Sequence, residues 1–138
     1  MKWLCRRVVI VAFSLMAVSV SAETTFTLVK DGKPACSIFI AAKPSDNAKS
    51  ASAELQKYVE KISGVKLEIL TDADVGGSHA GPGRVLVGRS RLTDAIPGLK
   101  IPNGMTMAMQ EEGFVIHCAG DTLVLAGNDS TMADCAAA

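Results

Sequence analysis

The chain contains few of the residues on which catalytic and sugar-binding sites usually depend. Its 138 residues include one tryptophan, one tyrosine, four phenylalanines, two histidines and four cysteines. So few cysteines exclude a disulfide scaffold, because small folds of that kind are dense in cysteine. The two histidines, His79 and His117, do not lie one helical turn apart with a glutamate between them, so the zinc-hydrolase pattern is absent.

The amino-terminal residues have the three parts of a secretory signal peptide. A basic start ("MKWLCRR") precedes an apolar run from Val8 to Val20, and the small residues of "VSA" end at Ala22. The apolar run, of about 13 residues, is shorter than the roughly 20 residues that cross a bilayer. We therefore expect residues 1–22 to be cleaved as a signal peptide, and we expect a secreted or periplasmic protein.

The chain that remains, residues 23–138, has the length of a single domain. It keeps 11 basic residues against 14 acidic ones, and no basic block. Nucleic acid and anionic membranes are therefore not expected as partners. Three cysteines remain, and their state is left open by the sequence; Cys36 and Cys118 fit small buried residues on strands, and Cys135 lies near the end of the chain.

Hydrophobic and turn patterns predict an α/β (α+β) fold, with a mixed β-sheet of about five to seven strands, one long helix and a short helical turn. The helix is expected to begin at a Ser45 or Asp46 cap and to stop at Gly64, and the helical turn is expected over residues 90–95. The predicted strands cover residues 26–30, 35–41, 65–70, 84–87, 106–110, 113–119 and 122–126.

The side-chain patterns also predict what these elements bury. Strand, helix and strand follow one another closely enough for a crossover into a parallel or mixed sheet. In the last two strands, both faces are mostly apolar, so cover is expected on both sides. The helix is expected to bury one stripe, formed by Ala48, Ala51, Leu55, Tyr58, Val59 and Ile62.

No motif in the chain specifies a reaction. The stretch "GGSHAGPGR" has no Gly-Lys-Ser/Thr and precedes a strand, so it does not match a phosphate-binding loop. A calcium loop starting at Asp72 would place Gly83 where a bidentate glutamate belongs. Metal binding by His79 with Asp72 or Asp74 has no further support, and the adjacent Glu111 and Glu112 would face opposite sides of a strand. We therefore predict no catalytic, cofactor-binding or metal-binding residue, and no cofactor.

Four segments together resemble a known module: "FTLVKDGKPACSIFIA", "SASAELQKYVEKISGVKLEI", "RVLVGRSRLTD" and "EEGFVIHCAGDTLVLAGND". In this order they resemble the N-terminal domain of bacterial α-glucuronidases, which is similar to the domain before the barrel in β-hexosaminidases. The resemblance covers residues 25–129. It implies a mixed sheet carrying helices in front of a catalytic (β/α)₈ barrel, in a secreted enzyme that removes glucuronic acid side chains from xylan. It also implies that Val85 and Val87 are core and that Arg89 and Arg91 lie at the surface or a domain interface.

The resemblance further implies a closing helix and a barrel after the last hairpin, whereas this sequence ends in "STMADCAAA". We expect a fragment in which the closing C-terminal helix is missing and an apolar patch around residues 123–126 promotes self-association. The expected function is that of a non-catalytic accessory domain that meets polysaccharide indirectly, through the barrel. The alternative is a free-standing secreted carbohydrate-binding or interaction module, although the mature chain has no tryptophan and Tyr58 is expected to be buried.

Overall fold

The computed structural model describes residues 25–77, 79, 81–101 and 113–128. Several predictions lie outside the described residues: the signal peptide, the strand over residues 106–110, the Glu111–Glu112 pair, Cys135 and the end of the chain. The described residues form a five-stranded mixed sheet, a two-stranded hairpin, one long helix and one short helix. The predicted fold class is confirmed.

The bounds of the elements follow the sequence pattern with local differences. The strands are β1 (Val29–Lys30), β2 (Lys33–Pro34), β3 (Cys36–Ile40), β4 (Ile69–Thr71), β5 (Gly83–Val87), β6 (Phe114–Ala119) and β7 (Thr122–Gly127). The helices are α1 (Asp46–Ser63) and α2 (Arg91–Asp94). The large sheet has the order β4-β3-β5-β7-β6, in which β6 is antiparallel to β7 and every other neighbouring pair is parallel. The predicted crossover from β3 through α1 to β4 and the central position of β5 are therefore confirmed.

Helix α1 begins and ends where its capping residues predict. The backbone N–H of Ala48 donates to the Ser45 hydroxyl at 3.1 Å, so Ser45 is the cap and Asp46 is the first helical residue. At the other end Gly64 has a φ of 73° and donates its N–H to the Glu60 carbonyl. A left-handed glycine of this kind satisfies one of the last free carbonyls of a helix.

The predicted apolar stripe of α1 is only partly correct. Ala48 and Val59 are buried as expected, but Ala51, Tyr58 and Ile62 are exposed. Ser52 is buried instead, and its hydroxyl donates to the Lys49 carbonyl at 2.8 Å, which satisfies the polar group inside the helix. The buried face is narrower than the stripe because α1 packs mainly on β3, β4 and β5.

The sheet has an apolar core on each face. On the α1 face the buried residues are Cys36, Ile38, Val59, Leu67, Val85 and Val87. On the opposite face they are Phe39, Leu86, Val124 and Ala126, which are covered by Leu70, Val75, Leu92, Ile96, Leu99 and Ile101. The predicted faces of β3 and the core positions of Val85 and Val87 are confirmed.

Two strands are shorter than their patterns predicted. The first contains only Val29 and Lys30 of the predicted residues 26–30, and β4 begins at Ile69 rather than at residue 65. Leu67 is fully buried, but its carbonyl accepts a hydrogen bond of 2.6 Å from the Gln56 side chain on α1. Leu67 therefore packs under the helix, and hydrogen bonding to β3 begins at the Glu68 carbonyl, which accepts from the Ile38 N–H at 2.8 Å.

The final hairpin has the predicted turn and register. Ile116 lies opposite Leu125, and His117 opposite Val124, across the Gly120–Asp121 turn. The expectation that both faces are covered is wrong for β6, because Phe114 and Ile116 are exposed on the α1 face. This uncovered part of the sheet follows from the strand order, which places β6 farthest from α1.

Candidate functional site

One candidate site lies at the carboxyl ends of the parallel strands. From β3 the chain crosses to β4 on one side, whereas β5 lies on the other side of β3. The carboxyl ends of β3 and β5 therefore flank a topological switch point, the place where ligands bind in many α/β sheets. A crevice there is lined by polar and small residues from the three strand ends: Ala41, Ala42, Lys43, Ser45, Asp72, Arg89, Ser90, Arg91 and Asp94.

Asp72 connects the elements around this crevice. Its carboxylate accepts hydrogen bonds from the Ala42 N–H at 2.9 Å and from the Arg91 N–H at 3.2 Å. The Arg91 guanidinium donates to the same carboxylate at 3.3 Å and to the Asp72 carbonyl at 3.2 Å. A single buried carboxylate thus joins the ends of β3 and β4 to the start of α2.

The charge state of Asp72 is set by these partners. Burial of its carboxyl group acts to raise the pKa, but the hydrogen bonds from Arg91 and Ala42, together with the Arg91 charge, lower the pKa below its ordinary value of 3.8. A general acid would need a raised pKa and a free oxygen facing the substrate. Asp72 has neither, so its geometry indicates a structural role.

Two of the remaining charges at the crevice, Arg89 and Asp94, are also paired. Arg89 contacts Asp94 at 3.0 Å, and both side chains are about half exposed. Such surface pairs contribute about 0–1 kcal/mol. Ser90 and Thr93 exchange hydrogen bonds in a capping box that starts α2. Arg89 therefore lies at the surface as the resemblance implied, and Arg91 is exposed along its side chain while still holding Asp72.

The glycine-rich segment before β5 is shaped by close packing. Gly81 has a φ of 72°, and a side chain there would overlap the backbone of Ala35. A side chain at Gly83 would come within 2.8 Å of the Cys36 Cβ atom. In the same segment Asp74 accepts hydrogen bonds from the Thr71 hydroxyl and N–H, and both lower the pKa of Asp74 below its ordinary value. These contacts account for Gly81 and Gly83 without a ligand.

The two histidines are not brought together, and Cys36 is a core residue. The His79 ring packs edge-on against Phe39, with ring centres 5.5 Å apart, and its Nδ1 lies 3.2 Å from the Gly81 carbonyl. His117 is on β6 opposite Val124. Burial raises the pKa of the Cys36 thiol to about 11, which leaves it an unreactive core residue. Within the described ranges, no group of three or more potential metal ligands is found.

A second candidate is an apolar surface on the α1 face, here called the apolar strip. It consists of Tyr58 and Ile62 on α1, Phe114, Ile116 and Cys118 on β6, and Leu123 and Leu125 on β7. The exposed fractions are 54% for Tyr58, 86% for Ile62, 73% for Phe114 and 67% for Ile116. The other three side chains are half-buried. Four large exposed apolar side chains on one face are typical of an interaction surface.

The helix geometry places both parts of the apolar strip on the same side. Gln56 faces β4, because its side chain binds the Leu67 carbonyl. With 3.6 residues per turn, Tyr58 lies about 200° further round the helix than Gln56, and so faces away from β4 toward the β7 and β6 side. Register places Leu123 beside Val85 and Ile116 beside Leu125 on that face. The apolar strip therefore has two parts on one face of the sheet: Tyr58 and Ile62 on α1, where Ile62 lines a pocket with Phe26, Leu28 and Val29, and the side chains of the β6–β7 hairpin.

Sequence patterns missed two of these features. The Asp72–Arg91 pair links residues 19 positions apart, and no local motif marks it. The exposure of Tyr58 was not predicted, because helical periodicity places it in the apolar stripe of α1.

Neither helix in the described part of the chain has the length and apolar character that spanning a bilayer requires.

Comparison with known proteins gives no relative for this chain. No family model, no curated protein and no solved structure matches it.

Proposed function

We propose that the chain is a non-catalytic accessory domain of a secreted α-glucuronidase-like glycoside hydrolase that acts on the glucuronic acid side chains of xylan. In this proposal the chain packs against a catalytic (β/α)₈ barrel and meets the polysaccharide through that barrel. The observation that carries the proposal is the apolar strip, which offers a docking face.

The order of the elements supports the resemblance on which this proposal draws. The quoted segments coincide with a hairpin (β1–β2) running into β3, a long helix, a central strand (β5) and a final hairpin (β6–β7). The resemblance to the N-terminal domains of bacterial α-glucuronidases implies the same order of elements. Each quoted segment therefore corresponds to a structural unit.

The polar groups support a role without chemistry of its own. Glycoside hydrolysis needs two carboxyl groups on either side of a sugar, roughly 5–10 Å apart, one of them with a raised pKa. At the crevice, Asp72 is held by Arg91 with a lowered pKa, and Asp94 is paired with Arg89. These two carboxylates stabilise the start of α2 and the strand ends.

The apolar strip supports docking on another protein surface. Exposed apolar patches rimmed by polar residues mark protein interaction sites on soluble domains. Phe114 and Tyr58 each leave on the order of 100 Å² of aromatic side chain uncovered, since such side chains bury 150–250 Å² when fully packed. A barrel that covers the apolar strip would remove this area from water, which is the dominant favourable contribution to association.

The docking step can be tested by calorimetric titration of the purified chain with an α-glucuronidase barrel prepared without its N-terminal domain. Ile62→Lys places a charge in the apolar strip, and Ala53→Lys places the same charge on the solvent side of α1. We expect at least about tenfold weaker binding for Ile62→Lys and an unchanged affinity for Ala53→Lys. Equal binding of the two variants, or no binding of the wild-type chain, would contradict the docking role.

A second experiment tests whether the chain has an active site of its own. The purified chain is incubated with glucuronoxylan oligosaccharides, and the release of glucuronic acid is followed. We expect no release above that of a heat-denatured control. Sustained turnover by the chain alone would refute the non-catalytic role, whatever the result of the barrel titration.

A second function, direct carbohydrate binding, is favoured by one specific observation. Tyr58 is exposed rather than buried in the helix stripe, and Phe114 is exposed on the same face of the sheet. Flat aromatic side chains stack on sugar rings and supply most of the contact in many sugar-binding sites. Calorimetry with xylan oligosaccharides distinguishes the two functions: micromolar binding that is lost in both Tyr58→Ala and Phe114→Ala would establish the carbohydrate-binding module.

A further inference from the structure

We propose that the outer edge of β6 pairs with the β6 edge of a second copy of this chain, which joins two five-stranded sheets into one. This self-association goes beyond the proposed docking role and uses different atoms, although Phe114, Ile116 and Cys118 belong to both surfaces. It depends on the backbone groups of the edge, whereas docking on a barrel depends on the side-chain face of the apolar strip.

The hydrogen bonds of the hairpin show which backbone groups of β6 face outward. The Asn128 N–H donates to the Gly113 carbonyl at 2.9 Å, so residues 113 and 128 form a hydrogen-bonded pair. The Leu125 carbonyl accepts from Gly88 on the β5 side, so Leu125 is turned away from β6. Since the pattern alternates along an antiparallel pair, Phe114, Ile116 and Cys118 direct their N–H and C=O groups away from β7.

Within the described residues, this edge has none of the features that usually prevent strand pairing. Its sequence, Phe-Val-Ile-His-Cys-Ala, contains no Lys, Arg, Asp, Glu, Pro or Gly. Among the described residues its only neighbour in the sheet is β7. The opposite edge is different: β4 has three residues, follows Lys66 and Glu68, and is flanked by the Gln56–Leu67 hydrogen bond. Natural sheets protect their edges with short strands and charges, and β6 lacks both.

A second copy fits this edge better than an unrelated strand would. In an antiparallel pairing centred on Ile116, the two Ile116 residues face each other, and Phe114 of one copy faces Cys118 of the other. All outward N–H and C=O groups of the three residues are then used, for on the order of six hydrogen bonds. No formal charge of one strand meets a like charge of the other, and on the α1 face each Phe114 lies opposite the smaller Cys118 while the two Ile116 side chains pack on each other.

The contact area sets the expected strength. Edge pairing of one short strand buries less than the roughly 1,600 Å² of a standard stable interface. We therefore expect a concentration-dependent equilibrium between monomer and dimer. In the dimer, the apolar strips of the two copies adjoin on the same face of a ten-stranded sheet, and the side chains of that face remain available.

Sedimentation of the purified chain over a wide concentration range tests the proposal with two matched variants. Ile116→Lys places two ammonium groups opposite each other at the centre of the pairing, and Ile62→Lys adds the same charge elsewhere in the apolar strip. We expect dimerisation to weaken by about tenfold or more in Ile116→Lys and to change by less than about twofold in Ile62→Lys. Both side chains are exposed, so circular dichroism should show that the two variants fold.

Backbone pairing is tested separately by Ile116→Pro. Proline is tolerated on an edge strand where the N–H points outward, and here it removes an N–H that β7 does not use. We expect loss of the dimer with the fold retained, and in the wild type we expect the amides of Phe114, Ile116 and Cys118 to exchange more slowly as concentration rises.

Three results would overturn the proposal: a wild-type chain that stays monomeric at millimolar concentration, equal weakening by Ile62→Lys and Ile116→Lys, or edge amides whose exchange is independent of concentration. The second result would mean that the copies associate through the side-chain face. These three results do not test barrel binding. Barrel binding is tested separately, by comparing the affinities of the Ile62→Lys and Ala53→Lys variants for the barrel.

Discussion

Replacement of Gly81 by alanine tests whether the glycine-rich loop serves packing rather than ligand binding. The Gly83 N–H donates to the Ala35 carbonyl at 3.1 Å, which draws this loop onto the start of β3. A methyl group at Gly81 would overlap the Ala35 backbone, and the φ of 72° is unfavourable for any residue with a Cβ atom. The left-handed conformation costs about 1–2 kcal/mol and overpacking typically adds about 1–3 kcal/mol.

We therefore expect Gly81→Ala to lower the free energy of unfolding by about 2–5 kcal/mol, a large part of the total for a domain of this size. Urea and thermal denaturation measure the change, and the melting temperature should fall by on the order of 10–30 °C. Gly76→Ala is the matched control, because a methyl group there meets nothing within 4 Å; its effect should stay within about 0.5 kcal/mol. A Gly81→Ala chain as stable as the control would refute the packing role of this glycine.

Three further predictions concern the buried groups. Because hydrogen bonds lower the folded-state pKa of Asp72 below 3.8, its stabilising contribution is present above that pH and is lost as the pH falls through the lower folded value. Asp72→Asn should therefore lower the urea midpoint at pH 7 and approach the wild type below pH 4; a constant difference at all pH values would contradict this. Ile38→Val should cost about 0.5–1.5 kcal/mol in the core, whereas Ile62→Val should cost almost nothing, and equal costs would contradict the assigned burial. Since burial raises the pKa of Cys36 to about 11, iodoacetamide at pH 8 should label Cys118 before Cys36 in the folded chain and both in urea, as read by peptide mass mapping; early labelling of Cys36 would contradict its burial.

Local chemistry made much of the fold predictable. The Ser45 hydroxyl and the left-handed Gly64 define the ends of α1 within the sequence itself, and Gly120–Asp121 defines the turn of the final hairpin. Alternation of side chains placed Ile116 and Leu125 on one face correctly. Each of these features depends on neighbours within a few residues, which a sequence pattern shows directly.

Burial and long-range pairing could not be predicted in the same way. Periodicity places Tyr58 and Ile62 on the apolar side of α1, but their exposure depends on how far the helix extends across the sheet. The apolar pattern of β6 predicts cover on both faces, whereas the strand order places it at an edge. The Asp72–Arg91 contact requires three strand ends to meet, so it depends on the completed fold.

The central claim, that the chain acts by docking its apolar strip on a catalytic barrel, is tested most directly by methyl NMR. The measurement compares spectra of the purified chain with and without a saturating α-glucuronidase barrel that lacks its N-terminal domain. We predict that the methyl signals of Ile62, Ile116, Leu123 and Leu125 shift or broaden while those of Val75 and Leu99, on the opposite face, stay in place. Unchanged signals of the apolar strip at saturation, or changes confined to the opposite face, would contradict the account.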